Sequence, residues 1–178
     1  IRNIYFLFYH ENYGLTKGQT SPRSAAGFVT KSTPGGAIEP SLKPLEVALT
    51  AGATFVAQGF STDIKELTAL IEAGLNHKGF SFINVFSPCV TYNKVNTYDW
   101  FKENLTKLSD IEGYDSSNRQ LAMQTVMQRE GLVTGIVYHD KETKSYQEKV
   151  VGYSEIPLTD IDISLSEDQF DQLVKEFM

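Results

Sequence analysis

The chain reads as an α/β protein built on a parallel sheet, and three observations predict this. Residues 4–9, 54–57 and 80–86 form short apolar runs rich in aromatic or β-branched side chains, as strands covered on both faces do. Stretches with apolar residues at helical spacing stand between and after them. The first and third runs break directly into turn-rich loops, Tyr13-Gly14-Leu15-Thr16-Lys17-Gly18-Gln19-Thr20-Ser21-Pro22 and Ser87-Pro88-Cys89-Val90-Thr91-Tyr92-Asn93. Strands alternating with helices need right-handed crossovers, which carry the carboxyl ends of the strands to one edge of the sheet. Ligands of open α/β sheets bind at that edge.

The elements follow in order. After strand 4–9, a long polar segment turns at Ser32-Thr33-Pro34-Gly35-Gly36 and closes on a helix around residues 45–49. Strand 54–57 leads to helix 64–73, with Ile64, Leu67, Leu70 and Ile71 on one face and Thr62 as its N-cap. Beyond Asn93 the texture changes. Helix 98–108 is striped by Tyr98, Phe101, Leu105 and Leu108, and helix 118–129 carries Leu121, Met123, Val126 and Met127. Strand 132–138, a charged turn at 140–144 and a second extended stretch to about residue 153 follow. The last helix opens on a Ser166/Gln169 capping box and carries Phe170, Leu173, Val174 and Phe177 at i, i+3, i+4, i+7 spacing. Residues 1–95 therefore form the parallel-sheet part, and 96–178 an α+β extension suited to a subunit interface.

Composition narrows the function. A length of 178 residues, 41% hydrophobic and 21% charged, suits one globular domain or one with an extension. A net charge of −6 opposes nucleic-acid binding, which needs a basic face. The single cysteine excludes an internal disulfide and suits a reducing, cytoplasmic setting. No apolar run approaches the ~20 residues of a membrane span, and no segment reads as a signal peptide. The chain enters a strand at Ile1-Arg2-Asn3-Ile4 without an initiator Met, which reads as an internal piece of a longer protein. In the first loop, two glycines, hydroxyls and Lys17 present backbone N–H groups and one cation, but the spacing is neither Walker A nor Gly-x-Gly-x-x-Gly. On these residues alone an anion site and an ordinary loop stand level, and Cys89 alone reads as a small buried hydrophobe.

The two loop blocks in this order, with Gly52-Ala53-Thr54-Phe55-Val56-Ala57, His77-Lys78-Gly79-Phe80, Asn96-Thr97-Tyr98-Asp99-Trp100-Phe101 and Gly131-Leu132-Val133-Thr134-Gly135, carry a likeness that runs through the whole chain. It resembles the thiamine-diphosphate-binding β subunit of 2-oxoacid:ferredoxin oxidoreductases, above all the 2-oxoglutarate type, over about the last three-fifths of such a subunit. The resemblance implies a partial thiamine-diphosphate fold. It also implies a reaction in which the thiamine ylid decarboxylates a 2-oxoacid, coenzyme A takes the acyl group, and electrons pass through a [4Fe–4S] cluster to ferredoxin. An α subunit is implied as partner, carrying the activating glutamate. Cys89 falls where the family has the fourth cluster thiolate; a cluster needs four, so the other three would come from upstream.

By the same resemblance, Gly14, Leu15 and Thr16 belong to the cofactor loop, and Leu15 and Lys17 lie where the family meets the thiazolium and the anionic substrate. Lys65 lies where the family carries a coenzyme A-linked lysine, and a cation in a first helical turn opposes the dipole, as at a bound anion. Thr16, Gln19, Thr20 and Ser21 are further donors. Aligning Tyr13-Gly14 with the family's Asp-Asn-x-x-Tyr-Gly puts Tyr9 at the Asp, His10 at the Mg²⁺-binding Asn and Asn12 at the carbonyl ligand. Imidazole suits zinc, iron or copper better than magnesium. Three readings stand: altered metal binding, a shift that makes Asn12 the side-chain ligand, or a misread stretch at residues 9–12. His77 and His139 read as surface residues and Trp100 as core or interface. Rival readings are pyruvate or a branched 2-oxoacid as substrate, a non-catalytic thiamine-fold scaffold, and a non-oxidative thiamine decarboxylase.

Overall fold

The computed structural model describes residues 3–150, 152, 156–162 and 164–177. Its aromatic amino-terminal run, Asn3–Tyr9 (β1), is the edge of a five-stranded sheet. Phe80–Phe86 (β5) lies beside it, then Phe55–Phe60 (β4), Val133–His139 (β7) and the short Thr106–Lys107 (β6). A two-stranded hairpin, Asn12–Tyr13 (β2) with Gln19–Thr20 (β3), holds the first loop. β1, β5 and β4 are parallel, with Tyr9 level with Phe86 and Phe86 level with Phe60. Their carboxyl ends are zipped by the Ser87 N–H to Tyr9 O (3.0 Å) and the Ser61 N–H to Phe86 O (2.9 Å).

Helices cover both faces, as near-continuously apolar strands require. Pro44–Thr50 (α1) and Arg119–Gln128 (α4) close one face over Leu45, Leu49, Val56, Val126, Val133 and Val137. Ile64–Asn76 (α2) covers the other through Leu67, Leu70 and Ile71 against Phe55, Ala57, Ile83 and Val85. At the carboxyl ends Tyr9, Phe60, Phe86 and Phe101 form a separate aromatic floor, with the Phe86 and Phe101 rings 4.7 Å apart. Tyr98–Asn104 (α3) supplies Phe101, and Trp100 stands edge-on to it at 5.0 Å.

The α/β class is as expected, but the sheet is mixed. β7 runs antiparallel to β4. α4 already ends at the carboxyl edge, and Glu130 and Gly131, both at positive φ, turn the chain straight back, so no crossover intervenes. One extra residue on β7 between the Val56 and Ala57 pairings makes a bulge. Three local expectations change. Asp63, not Thr62, caps α2: its carboxylate accepts from the Glu66 N–H at 3.1 Å and from Lys107 Nζ at 2.8 Å, a second partner that Thr62 lacks. The helix expected over 98–108 stops at Asn104, because Leu105 turns extended and Thr106 pairs with Val133; Leu108 is buried all the same, in a 3-10 turn. In place of an extended stretch after the charged turn there is a short helix, Tyr146–Lys149 (α5); residue 153 lies outside the described residues.

The chain divides into two compact units, residues 1–146 and 147–178. In the second, the capping box forms as expected at the start of Glu167–Glu176 (α6), with Ser166 and Gln169 bonding reciprocally.

The histidines depart from their expected surface positions. His77 is buried and its Nε2 lies 2.8 Å from Thr54 Oγ1; His139 is half-buried, with its ring 5.2 Å from that of His77. Phe55 touches both rings. α2 ends by folding His77 under the start of β4, a contact whose partners lie too far along the chain for periodicity to show.

Candidate functional site

The parallel register puts three segments at one edge: the loop after β1, the loop after β5, and the turn from β4 into α2. In the first, the chain leaves Tyr9 and passes Glu11 in the left-handed region (φ 64°) before entering the hairpin. The Gly18 N–H donates to Tyr13 O (2.9 Å), the Lys17 N–H donates to Gly14 O (3.2 Å), and Thr16 Oγ1 donates to Gln19 Oε1 (2.5 Å). This tight turn projects Leu15, Thr16 and Lys17 into solvent.

The second loop packs against the first. A Cβ built on Gly14 would meet Cys89 Sγ at 3.3 Å. One built on Gly18, whose φ is +88°, would stand 2.8 Å from the Tyr92 ring. Glycine at both positions lets the two loops close on each other, and Cys89, half-buried, faces the Gly14 backbone. A small cleft of about 130 Å³ beside Cys89 is lined by Pro88, Asn93, Lys94, Thr97 and Tyr98.

A buried carboxylate joins the loops from beneath. Glu11 is 4% exposed and accepts from Tyr9 Oη, Asn93 Nδ2 and Asn96 Nδ2. Its backbone carbonyl accepts from the Ser21 and Ser24 hydroxyls. Asn93 is 2% exposed, and its Oδ1 accepts from the Val95 and Asn96 N–H groups at 3.0 Å each, which shapes the turn after Cys89. Arg23 lies over the Tyr9 ring, 4.2 Å from its centroid, and brings a cation to this carboxylate. Burial, then the charge of Glu11, pushes the Tyr9 phenol well above its ordinary range, so it acts as a fixed donor. Burial pulls Arg23 down, against the opposing pull of Tyr9 and Glu11.

Asn12 differs from its neighbours. It is 4% exposed, and both its side-chain Oδ1 and Nδ2 lack a hydrogen-bond partner among the described residues. Buried polar atoms are rarely left so, and an unpaired one is costly to fold around. His10, by contrast, is exposed, and its Nδ1 donates to Ser87 O. Lys65 is exposed in the first turn of α2, at the same edge but two strands across from β1, roughly 10 Å away at ordinary strand spacing. The structure thus gathers Asn12, Gly14, Leu15, Thr16, Lys17 and Cys89, and leaves Lys65 to one side.

Sequence reasoning missed Glu11, Asn93 and Asn96 as a unit. Glu11 and Asn93 are 82 residues apart, so no spacing rule links them. The one available signal was a charged residue two positions after an apolar, aromatic strand run, in a loop that otherwise reads as solvated. The set can hold hard oxygen donors near a close-approach glycine turn: the Asn12 amide oxygen suits a hard cation, and the Gly14–Gly18 backbone can approach a phosphate. For a cluster the chain offers one thiolate against four.

Comparison with known proteins gives this geometry its context. Residues 1–85 match the thiamine pyrophosphate enzyme C-terminal TPP-binding domain, and residues 89–155 match the C-terminal family of pyruvate ferredoxin oxidoreductase β subunits. A 2-oxoacid:ferredoxin oxidoreductase β subunit from Sulfolobus is 33% identical over 153 residues, 79% of this chain and 50% of that protein. The 2-oxoglutarate oxidoreductase subunit KorB of Mycobacterium tuberculosis is 41% identical over 87 residues, 49% of this chain and 23% of its own length. Among solved structures, the 2-oxoglutarate:ferredoxin oxidoreductase of Magnetococcus marinus, determined with 2-oxoglutarate, coenzyme A and succinyl-CoA bound, superposes with a TM-score of 0.74 at 35% identity, over 81% of this chain and 49% of that one. The chain spans about half the length of the Sulfolobus relative. By its two matched regions the chain carries the thiamine pyrophosphate enzyme C-terminal domain followed by the pyruvate ferredoxin oxidoreductase β C-terminal region, and over about half their length it is similar to 2-oxoacid:ferredoxin oxidoreductase β subunits.

Proposed function

We propose that this chain supplies the cofactor loop and one wall of the active site in an enzyme that oxidatively decarboxylates 2-oxoglutarate to an acyl-CoA. The observation that carries the reading is the buried, unpartnered Asn12 amide in a loop whose Gly14 backbone abuts Cys89. The thiamine cofactor, when bound, supplies the carbanion chemistry of decarboxylation. The chain's part is placement. Asn12 Oδ1 offers the metal a hard oxygen in place of His10, whose Nδ1 is turned to the Ser87 carbonyl. The Gly14–Gly18 turn brings backbone close to the diphosphate, with Leu15 and Thr16 beside the ring. Lys17 offers a compact charge to the substrate carboxylate or to coenzyme A, and Lys65 a second charge at the same edge. Cys89 contributes one thiolate of a [4Fe–4S] cluster completed by cysteines outside this chain. An α subunit and ferredoxin complete the system in a cytoplasmic setting, with residues 1–95 serving the cofactor and 96–178 an interface. Among the described residues no helix is long and apolar enough to cross a membrane.

The 2-oxoglutarate assignment is supported by the names of the Mycobacterium and Magnetococcus proteins, while the Sulfolobus relative is named for 2-oxoacids generally. The test uses the full protein with its partner subunit. Mg²⁺-dependent thiamine diphosphate binding, read by fluorescence quenching, should weaken at least tenfold (1.4 kcal/mol) in Asn12→Ala. Coenzyme A-dependent ferredoxin reduction should be faster with 2-oxoglutarate than with pyruvate. Equal or reversed rates would reassign the substrate. No cofactor binding by the unmutated protein would favour the scaffold reading, which the imidazole at His10 suggests.

A further inference from the structure

The chain's charge is divided as its structure is. Residues 1–146 hold 14 acidic and 14 basic side chains, whereas residues 147–178 hold eight acidic and two basic, so the net charge of −6 sits wholly in the second unit. Within that unit, α6 is held by its own capping box, and its i, i+3, i+4, i+7 stripe stays exposed: Phe170 by 56%, Leu173 by 46%, Val174 by 38% and Phe177 by 84%. Three large apolar residues of this ten-residue helix and Phe177 at its C-cap stand exposed on one side, and helical periodicity sets Glu167 and Asp171 along one border of the stripe and Glu176 along the other. The matched family regions end at residue 155, so α6 lies outside both.

We propose that α6 is a docking helix whose apolar stripe seats in a groove on the partner subunit of the oxidoreductase, a groove edged by lysine and arginine side chains. This rests on the β-subunit reading. Charge chooses the occupant. A second copy would bring another segment of net −6 against this one, and like charges across an interface are costly. The chain's own first unit has equal numbers of both signs and so carries no net charge to attract the segment. An anionic lipid surface would repel the segment. A basic-rimmed apolar groove satisfies stripe and border together, with the aromatic residues as anchors.

The test measures binding of the complete chain to the purified partner subunit by calorimetry at two salt concentrations, for three proteins. The unmutated chain should bind, more weakly at high salt. Phe170→Asp with Leu173→Asp should weaken binding at least tenfold at both salts. Glu167→Lys with Asp171→Lys should weaken it at least fivefold at low salt and flatten the salt dependence, because the stripe remains while its border is reversed. Circular dichroism checks that each variant keeps its fold. Unmutated binding with both variants unchanged would overturn the docking helix while leaving the β-subunit reading standing. Absence of binding in all three would overturn both. Concentration-dependent self-association lost in the stripe variant would instead make a second copy the occupant and refute the proposal.

Discussion

Replacing Glu11 is expected to unseat the join between the two loops. The carboxylate is 4% exposed and takes hydrogen bonds from Tyr9, Asn93 and Asn96. Glu11→Ala leaves these donors without their acceptor. Asn96 is half-buried and regains water, so it adds little. Tyr9 and Asn93 are 7% and 2% exposed and do not. Each buried donor left unpaired costs about 1–3 kcal/mol, which gives about 2–5 kcal/mol for the pair after partial repacking. In a domain of this size that lowers Tm by about 5–15 °C. Backbone geometry supplies an internal control. Glu11 sits at φ 64°, where a side chain other than glycine is strained by roughly 1–2 kcal/mol. Glu11→Gly loses the same carboxylate but relieves that strain, so it should be about 1 kcal/mol more stable than Glu11→Ala. The assay is urea unfolding of the three proteins, with the midpoint compared at constant m-value. An Ala variant within about 0.5 kcal/mol of the unmutated protein, the size of an ordinary surface substitution, would refute the argument that Glu11 holds the loops together.

Three further outcomes follow from the same structure. Asn12→Leu removes two buried, unpartnered polar atoms, so in the absence of cofactor it should be neutral or stabilising while thiamine diphosphate affinity falls; a loss of apo stability above about 1 kcal/mol would mean that Asn12 is a structural residue instead. Gly18→Ala forces a Cβ into a backbone at φ +88° and against the Tyr92 ring, and should lower stability by about 1–3 kcal/mol; Tyr92→Ala should rescue the steric part in a double-mutant cycle. For the imidazole pair, burial and then the neighbouring His139 charge lower the pKa of His77, while burial and then Lys141 lower that of His139, with Asp140 opposing both. Groups whose folded pKa is depressed give stability that is present above the unfolded value of about 6.5 and lost as pH falls through the folded value. Stability measured from pH 7 to 5 should therefore decline, and His77→Gln should flatten the decline.

Much of the architecture was legible because it rests on local chemistry. Apolar aromatic runs became β1, β4 and β5, and glycine-rich punctuation after them became the loops that meet at Gly14 and Cys89. What was not legible depended on partners distant in the chain. The N-cap passed from Thr62 to Asp63, whose carboxylate also holds Lys107, 44 residues on. Helix 98–108 yielded its end to the pairing of Thr106 with Val133, since a ladder bond on the growing sheet outweighed one more helical turn. The histidine pair escaped for the same reason: His77 and His139 meet only through the pairing of β7 with β4. In the candidate site, Gly14 and Lys17 could be named from the loop itself and Asn12 from the family likeness, whereas Glu11 could not, because its role is defined by Asn93 and Asn96.

The contrast between Glu11 and Asn12 separates structure from chemistry within two adjacent residues. Both are polar, and both are 4% exposed. Glu11 has every expected partner inside the chain, with three donors on its carboxylate and two hydroxyls on its carbonyl. Its burial is compensated without any ligand. Asn12 has no side-chain partner among the described residues, so its desolvation is uncompensated in the protein alone. A folded chain tolerates that cost where the missing partner arrives from outside, and the neighbouring Gly14 leaves the space for one to approach. The rigid carboxylate join then has a function of its own. It holds the Asn12 backbone and the turn after Cys89 in one register, so a group bound at Asn12 and a group bound at Cys89 would meet at a fixed separation. The loops that carry these two residues are set side by side by the sheet itself, with β1 beside β5 in parallel register and Tyr9 level with Phe86.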